Sequence, residues 1–201
     1  EPMTSAPSPD NVSVDVPPMR EAGERLLEIN GLKTHFDTRD GVVRAVDAVD
    51  LHVDRGEVLG IVGESGCGKS VTSLSVMGLI AHPGSIVAGD IIFNGRNLTD
   101  MKKSEVRELR GEHISMIFQQ PQSSLNPVFK VGDQIAEVFQ IHDKSISKQE
   151  AWEKSLDLLR LVGIADAESK AHAYPHEMSG GQAQRIMIAM ALALEPRLLI
   201  A

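Results

Sequence analysis

The stretch Gly63-Glu64-Ser65-Gly66-Cys67-Gly68-Lys69-Ser70 matches the pattern G-x-x-x-x-G-K-[ST], which is typical of a loop that wraps a polyphosphate. Such a loop needs glycines because its backbone approaches the phosphates closely and takes dihedral angles that are unfavourable for residues with a Cβ. Its backbone N–H groups and the N-terminus of the next helix attract the anion. The pattern predicts that Lys69 reaches the β- and γ-phosphates and that Ser70 binds Mg²⁺.

The residues on either side predict the order strand, loop, helix that a phosphate-binding loop requires. Glu57 to Val62 is a short apolar run with β-branched residues, which predicts a buried strand. From Val71 to Ile80, apolar residues recur at helical spacing. The alternative is an ordinary glycine-rich turn with a chance lysine, and the ordered flanks favour nucleotide binding.

Composition excludes several classes of protein. The chain has 201 residues and a net charge of −8, which argues against nonspecific binding to nucleic acid. Cys67 is the only cysteine, so neither a disulfide framework nor a cysteine-rich metal site is expected within this span. No apolar run approaches the length of a membrane span, and the start does not resemble a signal peptide. We therefore expect any membrane association to come through a partner.

The N-terminal third predicts a leader and then an antiparallel sheet. Residues 1 to 22 are rich in Pro, Ser and Asp, which indicates a disordered leader. Order is expected from Leu26, with a turn at Arg39-Asp40-Gly41 and a half-buried antiparallel strand from Asp47 to Val53. Phe36 lies upstream of the phosphate loop, where it could stack on adenine. A core phenylalanine is an equally good interpretation.

Downstream of the predicted helix, the chain continues as alternating strands and helices. Ser85 to Phe93 predicts a strand, Asn94-Gly95 a hairpin turn and Ser104 to Arg110 a short helix. His113 to Phe118 predicts a buried strand that ends at Gln119, before Pro121. Gln119 could contact Mg²⁺ or the attacking water. On position alone, a polar residue at the end of a strand is the more economical interpretation.

The last third predicts a helical segment and a second glycine-containing helix start. Residues 132 to 172 carry apolar helical faces, and Gly163 is a candidate C-cap. Met178-Ser179-Gly180-Gly181-Gln182 then precedes an apolar helix. Ser179 is a candidate N-cap, and the glycine amides could form an anion site. For this pentad alone, a flexible Gly-Gly turn is favoured. A final strand is expected from Pro196 to Ala201.

Taken together and in this order, these motifs resemble the ABC-type ATPases over residues 26 to 201. The resemblance implies an α/β P-loop NTPase with a RecA-like core, an antiparallel β subdomain and a helical subdomain. It identifies Gln119 with the catalytic Q-loop glutamine and Met178 to Gln182 with the signature motif, where Met178 replaces the usual leucine. It implies that Ser70 and Gln119 bind Mg²⁺ and that ATP is bound by Phe36, Gly63, Glu64, Ser65, Gly66, Cys67, Gly68, Lys69, Ser70, Val71, Ser179, Gly180, Gly181 and Gln182.

The resemblance also implies a domain plan and a dimer. Residues 23–118 and 195–201 would form the core with its β subdomain, and residues 119–194 the Q-loop, helical subdomain and signature helix. In the family's sandwich dimer, Ser179 and Gly181 would act on the nucleotide held by the other subunit. The partner would be a second ATP-binding subunit, identical or different.

A narrower resemblance points to the ATPase subunits of dipeptide, oligopeptide and nickel importers. It is carried by Gly63 to Gly66, by Val71-Thr72 and by the run from Phe118 to Pro127. It implies a peripheral protein on the cytoplasmic face of the bacterial inner membrane, which binds transmembrane permease subunits and no nucleic acid. The alternatives are a soluble ABC ATPase without a transport role and a module that binds ATP without hydrolysis.

The sequence departs from the family pattern at its end. The Walker B aspartate and the catalytic glutamate follow a strand like Leu198 to Ala201, and the chain stops before them. The D-loop and the switch histidine are not in it either. We therefore expect an incomplete domain, with an open position in the sheet beside Val58 to Val62. We also expect residues 1–201 alone to be inactive and not a stable monomer.

Overall fold

The computed structural model describes residues 24–120 and 124–201, so the predicted leader over residues 1–22 and Pro121 lie outside the described residues. The chain divides into two compact units, one ending at Glu108 and the other running from Leu109 to Ala201. Across the two described ranges, no helix is both long enough and apolar enough to cross a membrane.

The first unit contains a four-stranded antiparallel sheet with the strand order β2-β1-β3-β4. The strands are β1 (Arg25–Thr38), β2 (Gly41–Asp54), β3 (Gly84–Phe93) and β4 (Arg96–Asn97). β1 pairs antiparallel with both β2 and β3, and the predicted turn at residues 39–41 joins β1 to β2. The predicted antiparallel strands are therefore confirmed.

The turn between β3 and β4 forms at the predicted Asn94-Gly95 pair. Asn94 has φ 49° and Gly95 has φ 80°, so both central residues are left-handed, as a two-residue hairpin turn requires. The Asn94 amide donates to the Leu26 carbonyl across 2.8 Å, which ties the turn to the start of β1. A 3₁₀ turn over Leu98–Asp100 and helix α2 (Lys103–Leu109) follow.

Helix α1 (Lys69–Val76) follows the phosphate loop but is shorter than the sequence predicts. Gly78 takes φ 61°, its amide donates to the Ser75 carbonyl, and the Leu79 amide donates to the Leu74 carbonyl. This pattern ends a helix, because the left-handed residue turns the chain back onto the last carbonyls. A buried hydrogen bond of 2.9 Å between the Thr34 and Ser75 hydroxyls links α1 to β1.

The prediction of a buried strand over Glu57 to Val62 is wrong for this structure. The segment has no regular secondary structure, and the side chains of Val58 and Val62 are each 96% exposed. None of the described strands pairs with it. An apolar sequence is not sufficient for a strand, because the backbone N–H and C=O groups of a strand need a neighbouring strand.

The second unit pairs two short parallel strands, β5 (Ile114–Met116) and β6 (Leu198–Ile200), with Ile114 opposite Leu198. The strand expected up to Phe118 ends at Met116, and the Phe118 side chain is 42% exposed. That expectation was wrong at its end, because the pairing with β6 stops at Ile200. The Ile117 amide makes one further bond to the Ile200 carbonyl.

The predicted helical region is confirmed as three helices, followed by the predicted apolar helix. They are α3 (Val131–His142), α4 (Lys148–Leu161), α5 (Ala167–Ala171) and α6 (Gly180–Leu192). Fully buried side chains from α3, α4 and α6 belong to one apolar core, among them Ile135, Leu159 and Ile186. This core holds the N-terminus of α6 at the surface, where Gly180 and Gly181 are exposed.

Candidate functional site

The phosphate loop is organised by the side chain of Lys69. Its Nζ donates to the carbonyl oxygens of Gly63 at 2.6 Å and Glu64 at 2.8 Å, and it lies 3.4 Å from the Cys67 Sγ. The Cys67 amide also donates back to the Glu64 carbonyl across 3.3 Å. The loop therefore curls around the lysine ammonium, which places a positive charge inside it.

Gly68 allows the loop to pass close to the sheet. It has φ 94°, and a Cβ at this position would lie 2.3 Å from the Ala45 carbonyl oxygen. It is also the N-cap of α1 and provides no side-chain acceptor for the first-turn amides. These amides have no partner within the helix, so the N-terminus of α1 retains the donors and partial positive charge that bind an anion.

The remaining loop residues fit a nucleotide polyphosphate with its metal. Ser65, Gly66, Cys67 and Ser70 are exposed, and Val71 is half-buried behind Ser70 in the first turn of α1. A hydroxyl is an oxygen ligand of the kind that Mg²⁺ accepts beside substrate phosphates. Ser70 is therefore the residue of this unit that would hold the metal, and Lys69 with the first-turn amides would hold the phosphates.

Phe36 lies on β1 in the first unit and is half-buried. A Cβ on Gly84 would lie 2.5 Å from its Cε1 atom, so the ring covers the backbone of Gly84. Part of the ring surface is therefore used in packing against Gly84. Stacking on adenine stays a prediction for the part that remains exposed.

Gln119 follows β5 in the second unit and is exposed. The loop after it is held by Gln134 of α3, whose side chain is 7% exposed. The Gln134 carbonyl oxygen accepts from the Asn126 amide, and its Nε2 donates to the carbonyls of Asn126 and Phe129, at 2.8, 3.0 and 2.9 Å. This buttress was not predicted, because an interior helix glutamine has no distinguishing sequence pattern.

The pentad Met178 to Gln182 forms a capped helix start. The Ser179 hydroxyl accepts from the Gln182 amide at 3.2 Å, and the Gln182 side chain accepts from the Ser179 amide at 3.0 Å. A Cβ on Gly180 or on Gly181 would meet no atom within 4 Å, so the surface above both is open. Ser179 is the N-cap, as predicted, and Met178 is buried. The reciprocal cap makes this segment an ordered helix N-terminus.

These three features belong to a known family. Residues 46–201 match the sequence profile of the family described as "ABC transporter", which is more than half of the chain. The chain belongs to the ABC transporter family. Solved ABC cassettes agree in fold: the dimeric ATP-binding cassette MJ0796, bound to ADP and Pi, has a TM-score of 0.78 at 23% identity, covering 87% of this chain and 72% of that one. The expected P-loop fold is confirmed.

Three curated relatives are named as ATP-binding proteins of peptide transport. The chain is 55% identical over 177 residues to a probable peptide ABC transporter ATP-binding protein, y4tR, of Sinorhizobium fredii, covering 88% of this chain and 52% of the relative. It is 51% identical to the oligopeptide transport ATP-binding protein OppD of Bacillus subtilis (88% and 49%) and 48% identical to the dipeptide transport ATP-binding protein DppD of Escherichia coli (88% and 54%). The chain spans about half the length of these relatives.

Proposed function

We propose that this chain is the nucleotide-binding part of an ABC importer subunit that binds MgATP and drives the uptake of peptides by hydrolysing it. The observation that carries the proposal is the loop curled around Lys69 at the uncapped N-terminus of α1. The identities of 48–55% to peptide transport ATP-binding proteins support the peptide class over a soluble ABC ATPase without a transport role.

The residues of this chain divide the work of phosphoryl transfer to water. Lys69 and the first-turn amides of α1 would hold the phosphates, and Ser70 would hold Mg²⁺, which would supply positive charge against them when bound. Gln119 orients the attacking water. Ser179 and the amides of Gly180 and Gly181 bind the γ-phosphate held by a second ATP-binding subunit. The cassette MJ0796 is a dimer in its solved form, which supports the presence of a second subunit but does not assign these residues.

The proposed location is the cytoplasmic face of the bacterial inner membrane, through permease subunits. To test this, the intact protein is expressed with a tag in its native host, and the tagged protein is purified from a detergent extract of the membranes. Co-purification of permease subunits with peptide-stimulated release of phosphate is the expected result. Phosphate release from an extract without any membrane subunit would support a non-transport ATPase instead, and ATP binding without release would support a binding-only module.

The permease contact is proposed at the loop that Gln134 holds. Val128 and Phe129 in this loop are 72% and 54% exposed, although Gln134 fixes the backbone around them. Two adjacent exposed apolar side chains on an ordered loop are a candidate protein contact. We expect Phe129→Ser to reduce co-purification of the permease about tenfold while basal phosphate release is retained.

Ile141→Ser provides the matched control for this loop. Ile141 is 57% exposed on α3 and lies outside the loop. The Ile141→Ser variant should leave co-purification of the permease unchanged. Equal losses in the two variants would show a general effect of removing surface apolar area and would remove the loop from the contact.

A further inference from the structure

Arg185 connects the helix that begins at Ser179 to the end of another helix. Its Nη1 donates to the carbonyl oxygen of Val162 across 3.2 Å and to that of Gly163 across 2.9 Å. Val162 is the C-cap of α4, so both acceptors lie just beyond the last turn of that helix. The C-terminus of a helix carries unsatisfied carbonyls and a partial negative charge, which a guanidinium neutralises.

The turn that receives Arg185 has a defined shape. Gly163 takes φ 72°, its amide donates to the Arg160 carbonyl, and the Ile164 amide donates to the Leu159 carbonyl, both across 2.9 Å. In this closed turn, the carbonyls of Val162 and Gly163 both accept from the Arg185 Nη1. A Cβ at position 163 would lie 2.8 Å from the Arg185 Nη1, so the glycine also leaves room for the guanidinium.

Arg185 holds the face of α6 that does not pack into the apolar core. Ala183 and Ile186 are fully buried and anchor one face of the helix. The opposite face of its first two turns is exposed, and Arg185 makes its two hydrogen bonds from that face. A helix held on two faces has a fixed rotation about its own axis. That rotation decides where the Ser179 hydroxyl and the Gly181 amide point.

We propose that Arg185 is a positioning residue, which holds the turn from Ser179 to Gln182 in the orientation required for ATP hydrolysis by bonding the C-terminal turn of α4. The proposal rests on the function proposed above for that turn. It predicts a division of effects, because Arg185 lies on the helix proposed to act in turnover, whereas the loop around Lys69 is proposed to bind the nucleotide. Arg185→Ala should leave the KM for MgATP unchanged and lower kcat about tenfold.

The experiment compares kcat and KM of the intact protein for three variants and wild type. Arg185→Ala removes both bonds, and Arg185→Lys keeps a cation that can reach the carbonyls and should recover most of kcat. Arg160→Ala is the matched control, because it removes an exposed arginine from the end of α4 whose partners are Asp157 and Glu168. The fluorescence of Trp152, taken as the difference from a matched Trp152→Phe variant, checks that α4 is folded in each variant.

Three results would overturn the proposal. They are wild-type kcat in Arg185→Ala, a raised KM with unchanged kcat, and an equal loss of kcat in Arg160→Ala. Hydrogen exchange at the amides of Gln182 and Ala183, measured without nucleotide, separates this proposal from the proposed function. If exchange is faster in Arg185→Ala but the wild-type protein releases no phosphate, the hydrolytic function is overturned. Arg185 then keeps only its role in ordering the turn. Unchanged exchange would show that Arg185 does not order the turn.

Discussion

The side chain of Lys69 is already ordered in the loop that is proposed to bind the nucleotide. Its ammonium is held by two carbonyls of its own loop, at 2.6 and 2.8 Å, so little side-chain freedom remains to be lost on binding. The chain as a whole is acidic, with a net charge of −8. Attraction of an anionic nucleotide therefore depends on local devices such as this lysine and the N-terminus of α1.

The stability of the second unit is expected to depend on pH through His113. Burial lowers its pKa below the ordinary value; the charges of Arg197 and His142 lower it further, while Glu112 opposes them. The unfolded chain then binds more protons than the folded chain between the folded pKa and the ordinary value of about 6.5. The stability from neutral His113 is full above that value and is lost as the pH falls through this window.

We expect the urea concentration at the unfolding midpoint of the second unit to be lower at a pH of about 5.5 than at a pH of about 7.5. His113→Asn should flatten this dependence, and His52→Asn, which changes an exposed histidine in the first unit, should leave it as in wild type. Trp152 in the second unit reports the transition. A His113→Asn variant with the full pH dependence would assign the effect to other groups.

The proposed chemistry of this chain lies at the ends of its helices more than in their interiors. Helix α1 begins at a glycine without a side-chain cap, which leaves its amides for an anion. Helix α6 begins at Ser179 with a reciprocal cap, and α4 begins at Ser147, whose hydroxyl accepts from the Glu150 amide across 3.1 Å. The two serine caps are alike in structure, although only the Ser179 cap belongs to a proposed site.

This pair allows stability to be separated from activity. Replacing either serine by alanine should lower the free energy of unfolding by about 1 kcal/mol, because a first-turn amide loses its acceptor. Ser179→Ala should in addition lower kcat for ATP hydrolysis in the intact protein, whereas Ser147→Ala should not. Denaturant titration and phosphate release measure the two effects. Equal kcat values in the two variants would reduce Ser179 to a helix cap.

Local chemistry was predictable from the sequence wherever neighbouring residues decide the structure. The Asn94-Gly95 turn and the Ser179 cap depend on the conformational preferences of one or two residues, as does the end of α4, where Val162 is the C-cap and Gly163, the predicted C-cap, follows it. The segment from Glu57 to Val62 was not predictable, because a strand depends on a partner elsewhere in the chain. Arg185 and Gln134 were missed for the same reason, since their acceptors are defined only once the helices have packed.

The proposed machinery is distributed over both compact units of the chain. The phosphate loop belongs to the unit that ends at Glu108, while Gln119 and the turn from Ser179 belong to the unit that begins at Leu109. Each unit holds one of the ordered elements of the proposal: the loop around Lys69 in the first unit, and the capped helix start at Ser179 in the second. This separation predicts that binding and turnover respond to different substitutions.

A titration of the intact protein with MgATP, followed by calorimetry, tests the central claim most directly. Lys69→Ala should weaken binding about 10- to 100-fold, because charge-assisted hydrogen bonds are each worth about 1.5–3 kcal/mol. Lys33→Ala removes a lysine of the first unit that pairs with Asp47 at 3.6 Å and should bind as wild type does, as should Gln119→Ala in the second unit. Wild-type affinity in Lys69→Ala, or an equal loss in Lys33→Ala, would contradict the assignment of the nucleotide to this loop.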